Sequence, residues 1–221
     1  MRLFVTGTDT DVGKTVVTAC LARAARRRGS VCAAKPVASG VAPGTSGEDA
    51  ERIARAAGHP PRVFAAWQAP LSPHRAAWVE GASLDPEALR DWVATLHADT
   101  VLVEGVGGWR VPIWLSPRLW VVDLARATAG DVVIVAADRL GVLNHTLLTV
   151  EAVRADGLRV AAVVLNRGVP EDASRRSNLD DLEALLDVPV VPLPRIELED
   201  PAALDQAGAA ILRVIVAGEQ G

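Results

Sequence analysis

The run Gly7-Thr8-Asp9-Thr10-Asp11-Val12-Gly13-Lys14-Thr15 holds residue types at a spacing that binds phosphate. It follows the apolar stretch Leu3-Phe4-Val5 and leads into Val16-Val17-Thr18-Ala19-Cys20-Leu21-Ala22, which reads as strand, loop and helix. Glycines permit a tight turn in which several amide N–H groups face one anion, and a helix N-terminus adds partial positive charge. The Lys14 ammonium can reach terminal phosphates, and the Thr15 hydroxyl can ligate magnesium. The loop is longer than the usual phosphate loop. Counted back from Gly13-Lys14-Thr15, the first glycine belongs at position 8, where Thr8 stands, and Gly7 lies one residue too early. That length points to a subgroup of nucleotide-binding proteins. A glycine turn before an ordinary surface helix would leave the lysine and threonine unexplained.

Other chemistry-bearing residues stand at the ends of apolar runs. Lys35-Pro36-Val37-Ala38-Ser39-Gly40 closes one of them. A lysine there either snorkels at a sheet end or places a second cation beside Lys14, and the phosphate loop favours the second. Asp49 follows Gly47-Glu48 at a helix start, where it is an acidic first turn or a magnesium ligand, with the turn the simpler reading. Val101-Leu102-Val103-Glu104-Gly105-Val106-Gly107-Gly108-Trp109 ends an apolar strand on a carboxylate and glycines. This is a poor core element and a good metal-binding corner. An acid there holds magnesium opposite the phosphate loop, and Gly105, Gly107 and Gly108 let backbone approach a substrate. Three weaker candidates remain, each with a cap or turn as the plain alternative. They are Ser72-Pro73-His74, the helix start Gly141-Val142-Leu143-Asn144-His145 as a carboxylate site, and Asn166 as a reader of a base edge.

The elements that must position these residues alternate. Strands are expected over 3–6, 31–36, 100–104, 131–136, 159–166 and 188–192. Helices are expected over 14–28, 48–57, 86–97, 117–128, 143–155, 177–186 and 201–217. The apolar runs are continuous rather than alternating, as in a parallel sheet covered on both faces. The fold class is therefore α/β: a doubly wound, mostly parallel sheet flanked by helices, of the P-loop nucleoside-triphosphate-hydrolase type. Ligands in such folds bind beyond the carboxyl ends of the strands. The proline-rich stretch 59–73 reads as an extended loop, and residues 218–221 as a frayed end.

Composition narrows the class. With 221 residues and 50% hydrophobic content, the chain reads as one domain over 1–221. Net charge is −4 without blocks of like charge, and Arg26-Arg27-Arg28 reads as a solvated helix C-terminus rather than a nucleic-acid patch. The two cysteines, Cys20 and Cys32, are isolated in apolar segments and read as core thiols of a reducing compartment. No apolar run reaches membrane-spanning length and no leader precedes the first strand, so a soluble, cytoplasmic protein is expected. Six tryptophans and no tyrosine are present; Trp109, Trp114 and Trp120 flank the glycine corner and could wall a pocket.

Taken in order, the phosphate loop from Val5, the Lys35–Gly40 segment, Ser72-Pro73-His74, Val103–Trp109, Leu140–Thr149 and Asn166 resemble the dethiobiotin synthetases. The longer phosphate loop is the form that family carries. The resemblance implies a homodimeric, magnesium-dependent ATP enzyme that closes the ureido ring of dethiobiotin from diaminopelargonic acid and carbon dioxide. It implies that Lys35 holds carbamate and γ-phosphate together, that Lys14 neutralises phosphates, and that Thr10 and Ser39 hydrogen-bond the carbamate or phosphate. Asp11, Val12, Gly13, Lys14, Thr15 and Val16 would cradle the nucleotide. Asn166 would contact adenine, with Leu193, Pro194 and Arg195 beside it. Thr15, Asp49 and Glu104 would ligate magnesium. Ser39 and Gly107 would face the substrate, and Leu143 and Asn144 would bind the carboxylate tail in the neighbouring subunit. Asp11 stands where the family often has glutamate, and Pro194-Arg195-Ile196-Glu197 matches it weakly. Two other readings share the phosphate loop. A corrinoid amidotransferase would need an added cysteine-nucleophile domain. A partitioning ATPase would carry an early loop lysine, where this chain has Thr8-Asp9-Thr10-Asp11.

Overall fold

In the computed structural model, which describes residues 1–168, 170 and 172–218, the chain alternates strand and helix from its first residues. It begins with β1 (Arg2–Gly7), α1 (Lys14–Arg26), β2 (Val31–Ala34), β3 (Val37–Ser39) and α2 (Glu48–Ala57). Next come β4 (Ala65–Trp67), α3 (Pro73–Val79), α4 (Pro86–Thr95), β5 (Thr100–Gly108), β6 (Pro112–Leu115), β7 (Arg118–Trp120) and α5 (Val121–Thr128). Then follow β8 (Asp131–Ala137), α6 (Val142–Ala155), β9 (Val160–Asn166), a 3-10 turn over Ala173–Arg176, α7 (Asn178–Leu185), β10 (Val190–Leu193) and α8 (Pro201–Ala217).

The main sheet runs β10-β9-β8-β1-β5-β2, and the pairings are parallel. Its strands bury both faces, which explains the unbroken apolar runs. Leu3, Val5, Leu102, Val133 and Val135 face one cluster shared with α1 and α8. Phe4, Val101, Val103, Val132 and Ile134 face the other, shared with α4 and α5. β1 is central, with later strands added on either side, so its loop lies at the switch point where such sheets bind ligands.

Helix α8 lies directly on α1. At Gly208 an added Cβ would fall 1.9 Å from the Cys20 carbonyl oxygen and 2.9 Å from Ala24 Cβ, so the missing side chain lets the backbones meet. Arg23 of α1 and Arg27, which caps its C-terminus, both bind the Asp205 carboxylate of α8, at 2.9 and 2.8 Å. Cys20 and Cys32 are buried and free. No helix among the described residues is long and apolar enough to cross a membrane.

Local structure departs from expectation in four places. The expected helix over 117–128 begins only at Val121, because Arg118–Trp120 pairs antiparallel with Pro112–Leu115 and buries Leu119 completely. The strand expected to stop at Glu104 continues to Gly108, since β1 accompanies it as far as Gly7 opposite Gly108. The strand expected over 31–36 ends at Ala34, and Val37–Ser39 instead pairs in parallel with Ala65–Trp67. The stretch 59–73 therefore holds a strand and opens α3 rather than being only a loop. Helix ends elsewhere differ by a residue or two, the ordinary scatter of terminal turns. Of the end expected to fray, 219–221 lie outside the described residues.

Gly208→Ala should lower the melting temperature by about 5 °C or more, since overpacking against backbone costs about 2 kcal/mol. Helix propensity alone predicts the opposite sign. A melting temperature unchanged or raised in thermal unfolding would show that the two helices can separate freely.

Candidate active site

The chain leaves β1 at the carboxyl edge of the sheet, and the Thr8 amide donates to the Val135 carbonyl at 2.9 Å, anchoring the loop to β8. Asp11 and Gly13 then take left-handed backbone, with φ of 57° and 99°. This curls the loop over its own lysine, whose Nζ donates to the Asp9 carbonyl at 2.9 Å. Helix α1 starts at Lys14 with its N-terminus open to a cavity of about 370 Å³. Thr10, Asp11, Gly13, Lys14, Thr15 and Val16 line that cavity from the loop; Lys35, Ser39, Asp49 and Gly107 line it from the other strand ends and α2. Of the corner glycines, only Gly107 reaches the cavity. Its φ is +59°, and a Cβ there would meet Val111 at 2.8 Å. Gly105 instead packs on Phe4, and Gly108 on the Gly7 and Thr8 backbone.

At the floor of the cavity lies a charge cluster in which Lys35 and Glu104 are buried and Asp49 is half-exposed. Lys35 Nζ donates to Glu104 Oε1 at 2.6 Å, Asp49 Oδ2 at 3.1 Å and the Gly105 carbonyl at 3.3 Å. Thr15 Oγ1 donates to the same Glu104 Oε1 at 3.0 Å. Burial works against the charge on Lys35, but Glu104 and Asp49 outweigh it and hold the ammonium above the usual lysine range. Burial would raise Asp49; the charge of Lys35 and its hydrogen bond hold that carboxyl below its usual range. Lys14 has less compensation. Burial, helped by the charge of Lys35 and opposed by Glu104, Asp49 and Asp11, pushes it down to about 8.

These donors fit a magnesium ion. Two carboxylates and a hydroxyl form an all-oxygen set, which suits a hard cation that takes its remaining ligands from water and phosphates. Glu104 Oε2 is buried without a hydrogen-bond partner, which leaves a carboxylate oxygen free for a cation.

Other expected residues lie apart from the cavity. Glu104 is buried under it, and Val12 is turned into the core. The Asn166 amide is engaged with the loop itself, Nδ2 donating to the Val12 carbonyl at 2.9 Å. Leu193 pairs with Asn166 across β9 and β10, and Pro194 and Arg195 follow it, exposed. Leu143, half-buried, and Asn144, exposed, sit in the first turn of α6 and do not line the cavity. Arg139 of the preceding loop does reach Asp9, at 3.6 Å. His74 opens a separate cavity of about 400 Å³ shared with Trp78 and Trp114. No tryptophan lines the phosphate cavity; Trp109 instead packs edge-on against Phe4 and donates to Asp156.

Some residues escaped the sequence reading. Arg52 also lines the cavity, one helical turn beyond Asp49 and so on the same face of α2, which is the signal that could have found it. Fully buried Asp138, at the end of β8, accepts from Arg167 Nε at 3.0 Å and Asn178 Nδ2 at 2.8 Å, with Arg175 at 3.7 Å. That network fixes the chain beyond β9, and its members are too scattered in sequence to form a motif.

An AAA domain family model matches residues 1–201. The ATP-dependent dethiobiotin synthetase BioD of Aromatoleum aromaticum is 40% identical over 222 residues, 96% of this chain and 96% of that protein. The enzyme of the same name from Rhodococcus jostii is 47% identical over 197 residues, 86% of this chain and 84% of that protein. In three dimensions, the septum site-determining protein MinD of Pyrococcus horikoshii, complexed with Mg-ADP, superposes with a TM-score of 0.54. That match covers 100% of this chain and 98% of the other at 16% identity, a likeness of fold alone. With 40–47% identity to those synthetases over most of its length, the chain belongs to the dethiobiotin synthetase family.

Proposed function

We propose that this protein is an ATP- and magnesium-dependent cyclo-ligase that closes diaminopelargonic acid with carbon dioxide to dethiobiotin, working as a single nucleotide-binding domain in a cytoplasmic homodimer. The observation that carries this reading is the meeting of Lys14, Lys35, Thr15, Asp49 and Ser39 around one cavity at the carboxyl edge of the sheet. Phosphoryl transfer asks mainly for positioning and charge neutralisation, and those side chains supply both.

One amine of the substrate adds carbon dioxide and loses a proton, giving a carbamate. A carbamate oxygen attacks the γ-phosphorus of ATP, and the bond to the bridging oxygen breaks to release ADP. The second amine then attacks the carbonyl of the mixed anhydride, expelling phosphate and closing the ring. In this scheme Lys14 neutralises the phosphates and Lys35 draws carbamate and γ-phosphate together. Thr10 and Ser39 donate hydrogen bonds to the reacting oxygens, and Gly107 lets backbone approach the substrate. Thr15, Asp49 and Glu104 would hold magnesium, which when bound would supply further charge neutralisation on the phosphates. The nucleotide lies over residues 11–16, its base toward Asn166 and the Leu193-Pro194-Arg195 segment.

Leu143 and Asn144 would serve a partner's site, binding the substrate carboxylate at the α6 N-terminus. Their position outside this chain's own cavity supports that assignment, as do the exposed leucines beside them, Leu140 at 81% and Leu148 at 56%.

The direct assay is ADP release with ATP, magnesium and bicarbonate, with and without the diamine. Diamine-dependent release with dethiobiotin detected by mass spectrometry is expected; diamine-independent release would instead mark a switch ATPase. Lys35→Ala should lose about a thousandfold in turnover while keeping its far-UV circular dichroism. Near-normal turnover would remove Lys35 from the carbamate step. Sedimentation should show dimers, and full activity from a monomer at high dilution would refute the shared site.

A further inference from the structure

Asn166 ends β9 with a buried side chain whose amide has only one workable orientation. Nδ2 donates to the Val12 carbonyl at 2.9 Å, while Oδ1 accepts from the Gly168 amide at 2.9 Å. Flipping the amide would set acceptor against acceptor and donor against donor. The Val12 carbonyl belongs to the phosphate loop. In a planar trans peptide the C=O of one residue and the N–H of the next point in opposite directions. A carbonyl held toward Asn166 therefore turns the Gly13 N–H away from it, and Gly13 lines the phosphate cavity.

Gly13 is shaped to match. Its φ is +99°, and a Cβ built on it would fall 2.2 Å from Asn166 Nδ2. The glycine thus leaves the space that the amide fills. We infer that Asn166 is a positioning residue for phosphate: by holding the Val12 carbonyl it sets the peptide whose N–H faces the triphosphate. This inference rests on the nucleotide-site assignment above. It assigns Asn166 a task independent of the base, and its second N–H and second oxygen lone pair remain for adenine.

The two tasks separate with a ligand that has no base. Binding of ATP and of inorganic tripolyphosphate, each with magnesium, is measured by calorimetry on the full chain and on Asn166→Ala and Asn166→Asp. Tripolyphosphate should weaken about tenfold, the effect of losing one buried hydrogen bond, and ATP by at least that factor, since it also loses the contact to its base. Tripolyphosphate affinity that stays at the wild-type level while ATP weakens would overturn the inference and leave Asn166 a base contact only. Unchanged affinity for both would overturn it as well, and so would a wild type that binds ATP but no tripolyphosphate. Should the Asn166 variants fail to fold, Gly13→Ala carries the test, since its methyl displaces the amide from the other side. Weaker tripolyphosphate binding is expected, with ATP weakened at least as much, and wild-type affinity for tripolyphosphate would overturn the inference. A wild type that binds neither ligand overturns the nucleotide site itself, a failure visible before any substitution is made.

Discussion

Two lysines cannot be buried side by side unless something buried with them carries the opposite charge. Lys14 and Lys35 are each less than a tenth exposed, and Glu104 is the fully enclosed group that answers them. Sheet register brings this about. Ala34 of β2 stands opposite Val103 of β5, so the next residues on the two strands, Lys35 and Glu104, emerge together at the carboxyl edge. On its other side Glu104 stands opposite Val5 of β1, at the root of the phosphate loop. One carboxylate thereby ties β2, β5 and the first turn of α1. An uncompensated buried charge would cost several kcal/mol, so the cluster contributes to stability as well as to chemistry.

The compensation is uneven, and that sorts the lysines. Lys35 touches both carboxylates and keeps its charge firmly. Lys14 touches neither, bonding only the Asp9 carbonyl, and burial pushes it down to about 8. An ammonium with so little local compensation gains the most when polyphosphate arrives. Glu104 and Asp49 are in turn the oxygens suited to magnesium, so the groups that make the lysines affordable also complete the anion site.

Much of this was legible in the residues themselves. Continuous apolar runs declare a sheet covered on both faces. Gly13-Lys14-Thr15 declares a phosphate loop, and a carboxylate followed by glycines declares a site rather than a core. What was illegible depends on pairing at a distance. Arg118–Trp120 becomes a strand only because Pro112–Leu115 lies beside it, and Gly105 is a glycine because Phe4 fills its space. Asp138 reads as an unremarkable acid until Arg167, Arg175 and Asn178 close round it. Asn166 stood out in the sequence only as a weak candidate, and because its partner Val12 lies 154 positions away, its grip on the loop was not legible.

The fold by itself accounts for only half of the chemistry. An α/β sheet with a phosphate loop after its central strand binds nucleotide in proteins that do quite different work. What must differ is the side of the cavity that presents the acceptor to the γ-phosphate. In the proposed reaction that side is the one lined after β2 by Lys35 and, from β3, by Ser39. Ser39 is held by the register of β3 on β4, which places it opposite Trp67, itself buried in the core. Ala65–Trp67 belongs to no motif, yet it supplies the strand that pairs with Ser39. On the proposed reading, the acceptor side depends on this short parallel pair, which stands apart from the six-stranded nucleotide-binding sheet. Changes in that pair should redirect the reaction while leaving the nucleotide half intact.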